Sequence, residues 1–220
     1  MPITLTKYGL PQILLATVIA GALSGVAAIF LCGWWLLLLA IPVGLWAFVL
    51  FFFRSPRRVP PEGEGLLISP ADGFITHIET CGDEEFIGEP ARRVGIFLTV
   101  SDVHLNRAPV AGRVEKIEYT KGEYLNAMKS ESAKRNERND VCLRDESGEP
   151  FIVRQISGAI ARRIVCDCEV GDSFKRGDIL GMIKFGSRTD VFFPARLNFE
   201  PDVKIGQHVN AGRTILGRFT

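Results

Sequence analysis

The chain changes character at residue 54. From residue 10 to residue 53, "LPQILLATVIAGALSGVAAIFLCGWWLLLLAIPVGLWAFVLFFF", no side chain is charged, whereas apolar and charged positions alternate in short runs afterwards. As one straight helix this stretch would extend about 66 Å at 1.5 Å per residue, roughly twice the 30 Å hydrocarbon core of a bilayer. The pattern therefore predicts two helical membrane spans, residues 10 to 32 and 34 to 53, broken at Gly33, with Trp34 and Trp35 at an interface. Lys7 precedes the first span and Arg54, Arg57 and Arg58 follow the second, so the positive-inside rule puts both ends, and the domain beyond, on the cytoplasmic side of the cell (inner) membrane. A cleaved signal peptide is the competing reading, because "ALSG" supplies small residues. The apolar run continues for about thirty residues past that site, which favours a retained anchor. A shallow hairpin in one leaflet is the remaining arrangement.

Residues 54 to 65, "RSPRRVPPEGEG", read as a linker rich in Pro, Gly and charge. Residues 66 to 220 then carry runs such as "GFITHIE", "RVGIFLTV", "GRVEKIEYT", "PFIVRQI", "DVFFPA" and "TILGRF", rich in Val, Ile and Phe and bounded by Gly, Pro and Asp turns. The domain is expected to be mainly β, with one short helix near residues 126 to 138. "AGRVEKIEYTKGEYLNA", "CEVGDSFKRGDILGMIKF" and "VKIGQHVNAGRTILGRF" repeat a strand, a Gly turn, a spacer and a second Gly turn. These turns resemble those of biotinyl and lipoyl carrier domains and their barrel-sandwich relatives. Lys184 in "MIKFG" is not at a hairpin tip as a carrier lysine would be, so the turns speak to architecture more than to carrier function.

Composition narrows the chemistry. With 220 residues, 47% hydrophobic content and a formal charge of +1, the chain has neither the basic excess of a nucleic-acid binder nor an acidic tail's bias. Five cysteines without an extracellular spacing pattern fit reduced thiols. Cys166 and Cys168 form a C-x-C that a strand would present on one face, but no second Cys or His pair completes a zinc site, and no metal is expected. Of the three histidines, His77 alternates with apolar neighbours as a strand residue and His208 lies in a turn repeat. His104, in "VSDVHLNRAPVAG", sits where a strand ends before Pro109 and Gly112, a position from which a side chain can reach a cleft; a histidine bonded to backbone is the plainer alternative. No G-x-S-x-G elbow, P-loop or H-E-x-x-H is present.

One small motif offers a reaction. In "IKFGSRTD", Ser187 follows Gly186, and a serine hydroxyl can attack the carbonyl before it, most easily when that residue is glycine. The resulting ester can be cut by β-elimination. The serine remnant becomes dehydroalanine and then an N-terminal pyruvoyl group, a ketone that forms an imine with an amine and acts as an electron sink for decarboxylation. Gly-Ser is also a common turn.

Taken in order, "FFFRSPRRVPP", "SPADG", "DVHLNRAPVAG", "KGEYLNA", "RNERN", "QISGAIARRIV", "GDSFKRGDILGMIKFGSRTDVFFP" and "VKIGQHVNAGRTILG" resemble the phosphatidylserine decarboxylases, in their short, membrane-anchored prokaryotic form. The resemblance implies a carboxy-lyase that converts phosphatidylserine to phosphatidylethanolamine, made as a proenzyme that cuts itself between Gly186 and Ser187. It implies a covalent pyruvoyl cofactor derived from Ser187, a membrane phospholipid as substrate, no nucleic acid, and two chains from one precursor. Asp72 and His104 are the implied acid-base residues, with Asp72 orienting His104 toward Ser187. Longer family members carry "GST" at the cleavage site and a second histidine three positions on, where this chain has Arg107. His104 is therefore expected to serve both maturation and decarboxylation, with Asp102 the next protonating group. Arg57, Arg58, Arg107, Arg162 and Arg163 are candidate phosphate partners. The alternatives are a decarboxylase of archaetidylserine, another pyruvoyl enzyme acting on an amino acid, and a tethered carrier module.

Overall fold

The computed structural model describes residues 3–30, 33–125, 135–158, 163–184 and 187–220. The chain forms two compact units, residues 1–57 and 58–220.

In the first unit, strand β1 (Ile3–Leu5) leads through a 3₁₀ turn into helix α1 (Leu10–Phe30). A 3₁₀ stretch (Gly33–Leu39) precedes helix α2 (Ala40–Phe52), and β2 (Arg54–Pro56) returns to pair with β1. Gly33 adopts φ 59, so the expected break falls on the residue best able to turn left-handed. Pro11 and Pro42 lie in first turns, where a missing N–H breaks no helical bond. The helices are apolar all round and their side chains largely exposed, Ile29 by 78%. Trp46 Nε1 donates to Thr17 Oγ1 (3.0 Å), and Thr17 returns its own hydrogen to the Ile13 carbonyl (2.8 Å), so the polar atoms between the helices satisfy one another. Among the described residues one helix, Lys7–Phe30, is long and apolar enough to cross a membrane, and the second apolar run, Leu37–Phe52, is shorter. The side chains of Trp34 and Trp35, and Cys32 at the end of the first expected span, lie outside what is described.

The second unit is the mainly β domain that the alternating pattern predicts. Its strands are β3 (Leu66–Ile68), β4 (Gly73–Glu84), β5 (Glu89–Leu98), β6 (Leu105–Arg107), β7 (Gly112–Thr120), β8 (Arg138–Asp145) and β9 (Pro150–Ile156). They continue with β10 (Ile164–Cys166), β11 (Ser173–Phe174), β12 (Ile179–Ile183), β13 (Ser187–Pro194), β14 (Phe199–Pro201), β15 (His208–Val209) and β16 (Ile215–Phe219). An eight-stranded sheet in the order β11-β7-β8-β9-β13-β5-β4-β15 curls into a half-barrel, accompanied by three-stranded sheets β10-β12-β6 and β14-β16-β3. Strand alternation aims Val94, Ile96 and Leu98 of β5, Val141 and Leu143 of β8, Val153 of β9, and Val191 and Phe193 of β13 into one core. Phe151, Phe193, Phe199 and Phe219 close it with edge and tilted ring contacts.

The stretch expected as a linker is tied down. Arg176 donates to the carbonyls of Pro61 (2.8 Å) and Gly63 (2.9 Å), and Arg58 reaches Asp72. Most of the expected helix, residues 126–134, lies outside the described residues, and Arg138 at its far end opens β8.

Candidate active site

Strand β13 lies at the centre of the large sheet between β5 and β9, and all eight of its residues are buried. Ser187 opens it and pairs with Leu98, the last residue of β5. From Leu98 the chain turns through residues 99 to 104, closed by the Asp102 N–H on the Thr99 carbonyl (3.0 Å), and enters β6. There Leu105 pairs with Met182 of β12, and the Ile183 N–H donates to the His104 carbonyl (3.1 Å). The segments 98–104 and 183–187 are thus joined at both ends. This register brings His104 and Ser187 to one short loop closure, although 83 positions separate them in sequence. Gly186, the other half of the expected cleavage site, lies outside the described residues.

Both side chains are fully buried. His104 Nδ1 faces the carbonyl oxygen of Asp102 at 3.0 Å. A carbonyl only accepts, so Nδ1 carries the hydrogen and Nε2 is the basic nitrogen of the neutral ring. The Ser187 hydroxyl has no hydrogen-bond partner among the described residues. Leaving a buried hydroxyl unpaired costs about 1–3 kcal/mol, which a serine serving only to fill space would avoid.

Asp72 Oδ2 accepts from Arg58 Nη2 (2.8 Å) and its Oδ1 from the Ala211 N–H (2.6 Å). The carboxylate fastens residue 58 and the 210–212 turn around the "ADG" corner. Two glycines make that corner: at Gly73 (φ 144) a Cβ would sit 2.1 Å from the Phe97 carbonyl oxygen, and at Gly212 (φ 70) it would meet Arg107 Cδ at 2.9 Å. Burial raises the Asp72 pKa against the pull of Arg58 and Ala211, and the nearby Asp102 charge adds to the rise. Asp102 itself is pushed up by burial but held lower by the stronger sum of hydrogen bonds, from Thr99 N (2.8 Å), Thr99 Oγ1 (2.7 Å) and His208 Nε2 (2.8 Å). The Asp102–His208 pair was not apparent in the sequence, because 106 positions separate the two.

Of the candidate phosphate partners, Arg58 is engaged by Asp72 and Arg107 donates to the Gly177 carbonyl (2.7 Å), while Arg57 and Arg163 are exposed and Arg162 lies outside the described residues. His77 is opposite Gly95 on the other face of the sheet, its pKa lowered by burial and then by Arg188 and Arg93. Arg188, directly after Ser187, is 1% exposed and its Nε donates to Asp190 Oδ1 (2.6 Å). Lys184 is also buried, with its pKa lowered by burial and by Arg163, unlike a carrier lysine that must swing outward. Cys81, Cys142, Cys166 and Cys168 are free thiols, and no group of three metal-ligating side chains exists among the described residues. An open groove lined by Glu64, Asp145, Glu146, Phe151 and Phe219 lies at the far end of the sheet, at the β8–β9 turn, away from Ser187.

Residues 45–217 match the family model described as phosphatidylserine decarboxylase. Among similar proteins, one from Ruegeria pomeroyi is 42% identical over 185 residues, covering 83% of this chain and 84% of the relative. One from Nitratidesulfovibrio vulgaris is 41% identical over 216 residues, covering 98% and 95%, and one from Syntrophus aciditrophicus is 39% identical over 215 residues, covering 98% and 97%. Each of the three is called a phosphatidylserine decarboxylase proenzyme.

Proposed function

The chain belongs to the phosphatidylserine decarboxylase family, and from that premise we propose that it matures by cutting itself between Gly186 and Ser187 and then acts at the membrane as a pyruvoyl-dependent carboxy-lyase. Decarboxylation of phosphatidylserine to phosphatidylethanolamine follows from the family. The observation that carries the maturation reading is the buried Ser187 hydroxyl, unpartnered among the described residues, at the loop closure it shares with His104.

In this reading His104 Nε2 takes the Ser187 hydroxyl proton, and Oγ bonds to the Gly186 carbonyl carbon while the Gly186–Ser187 C–N bond breaks and the Ser187 nitrogen takes up a proton. Removal of the Ser187 Cα proton then breaks the Cβ–Oγ bond and leaves Gly186 as a carboxylate terminus. Hydrolysis of the remaining enamine releases ammonia and leaves the pyruvoyl group at the head of a chain of 34 residues (187–220), beside one of 186 (1–186). The pyruvoyl group supplies the electron sink that carbon dioxide loss from a serine headgroup requires. The protein supplies the rest: β13 fixes Ser187 at the end of a buried strand, burial limits water around it, and His104 returns a proton to the substrate carbon. The exposed Arg57 and Arg163 are suited to a lipid phosphate. The apolar helices hold the chain at the cell membrane with the β domain on the cytoplasmic side, by the distribution of Lys7, Arg54, Arg57 and Arg58.

Intact mass analysis of purified protein tests this reading. Two chains with a blocked small-chain terminus, and a single inactive chain from Ser187→Ala, are expected. A wild-type chain that forms phosphatidylethanolamine while uncut would end the pyruvoyl mechanism.

A further inference from the structure

Among the described residues, four turns of the β domain are built alike. In residues 99–102, 169–172, 175–178 and 204–207 the fourth N–H closes on the first carbonyl (3.0, 3.1, 3.0 and 3.0 Å), and the first N–H is caught by the side chain of the fourth residue, Asp102, Asp172, Asp178 or Gln207. Such closure leaves the second residue at the tip, in a stretch where polar residues and Gly are usual. Val100, 39% exposed, and Ile205, 66% exposed, hold that place in the first and last turns. These two turns are also fastened together. Asp102, which ends one, accepts from Nε2 of His208, which directly follows the other (2.8 Å), and the His208 ring lies edge-on to Phe74 (centroids 4.9 Å), itself 41% exposed. Three exposed apolar side chains from separate segments thus share one braced rim. A single such residue is ordinary, whereas a cluster marks a contact surface.

The rim borders the candidate site, because the turn 99–102 leaves from Leu98, the partner of Ser187, and runs on to His104. Its segments 73–75, 99–101 and 204–208 contain no Asp or Glu, and Lys204 stands exposed beside Ile205. Apolar tips next to a cation and free of carboxylates complement a surface that is apolar beneath and negatively charged above, as a bilayer containing an anionic lipid is. We propose that Phe74, Val100 and Ile205 dip into the bilayer that carries the substrate, with Lys204 among its headgroups. The uncharged run of residues 10–53 holds the chain at a membrane, and the rim sets which end of the β domain faces the lipid: the end at which Ser187 opens β13. The proposal rests on the reading of a lipid substrate and adds to it the surface through which the β domain meets that lipid.

The test compares full-length protein on two forms of one substrate: phosphatidylserine in vesicles of phosphatidylcholine, and a short-chain phosphatidylserine dissolved as monomers. Val100→Ser combined with Ile205→Ser should lower turnover on vesicles about tenfold or more, the effect of withdrawing two aliphatic side chains from a bilayer, and leave turnover of monomers and conversion to two chains unchanged. Val170→Ser makes the same change at the tip of the like turn before β11, at the opposite edge of the large sheet from β15, and should alter none of these. Placement is read without turnover in the full-length Ser187→Ala chain. Adding Ile205→Trp to it should increase quenching of tryptophan emission by brominated vesicle lipids beyond that of the native tryptophans 34, 35 and 46. No added quenching would overturn the proposal, as would an equal loss for the serine pair on vesicles and monomers, or a loss on neither. A loss confined to native membranes and absent from vesicles of pure lipid would put a protein on the rim and equally overturn it. If wild type forms no phosphatidylethanolamine from either substrate, the functional reading fails, and the quenching still decides the rim.

Discussion

His104 Nδ1 is bonded to the backbone carbonyl of Asp102, 3.0 Å away. Main chain thus orients the ring and leaves Nε2 with the lone pair that the proposed base role requires. His104→Ala should therefore slow self-cleavage by about 10²- to 10⁴-fold, the usual worth of a general base, as read from the fraction of precursor remaining with time. A slowly matured His104→Ala protein should also show a large loss of turnover per pyruvoyl group. Normal turnover would transfer the proton-returning role to Asp102. The structure argues against that transfer, because Thr99 and His208 hold the Asp102 carboxyl low and leave it no proton to give near neutral pH.

Asp72 and Arg58 form a buried pair, with side chains 5% and 10% exposed. Asp72→Ala leaves a buried guanidinium without its carboxylate and should cost about 3–5 kcal/mol in thermal unfolding of the detergent-solubilised Ser187→Ala chain. Replacing both residues, as Arg58→Met with Asp72→Leu, should cost less than Asp72→Ala alone. An additive double-variant loss would show that the two do not act as a unit.

The two carboxylates should give opposite pH dependences. Asp102 has a folded-state pKa below its unfolded value, so its stabilisation is present above the ordinary Asp range and is lost as pH falls through the lowered value. Asp72 has a raised folded-state pKa, so its contribution is fully present below the ordinary value and is lost as pH rises through the raised one. Unfolding measured between about pH 3 and pH 7 should show the stability deficit of Asp102→Asn shrinking on acidification. For Asp72→Asn, wild type should instead lose stability relative to the variant as pH rises across that range. A deficit for Asp102→Asn that grows on acidification would reject the assignment.

Membrane attachment should survive salt. Burial of apolar surface is not screened by ions, whereas attraction of Arg57 to headgroups is. The protein is expected to remain with membranes through a high-salt wash, and release by salt alone would reject the anchor. A chain lacking residues 1–53 should still cut itself and act poorly on bilayer phosphatidylserine.

By itself the sequence determined the elements whose signal is local. The uncharged run from residue 10 to 53 is apolar at every helical face, so its segregation from water needs no tertiary information. The β-branched and aromatic runs in "RVGIFLTV" and "DVFFPA" sufficed for strands β5 and β13, because such preferences act over a few positions. The ordered motifs from "SPADG" to "FGSRTD" likewise pointed to a family. What only the tertiary structure decided was pairing. Asp72 and His104 are both polar residues near strand ends, and nothing local says that one carboxylate faces Arg58 and Ala211 while the imidazole takes a backbone carbonyl. A signal for buried polar pairs did exist: Asn139 in "RNDVCLRD", which donates to Gln155 (3.1 Å), and Gln155 in "PFIVRQI", which donates to Asn106 (2.9 Å), fall in the inward phase of their strands, where a polar residue demands a partner. Which partner each takes depends on β8, β9, β13 and β6 being brought together by non-local register, and that information resides in no short stretch of the chain.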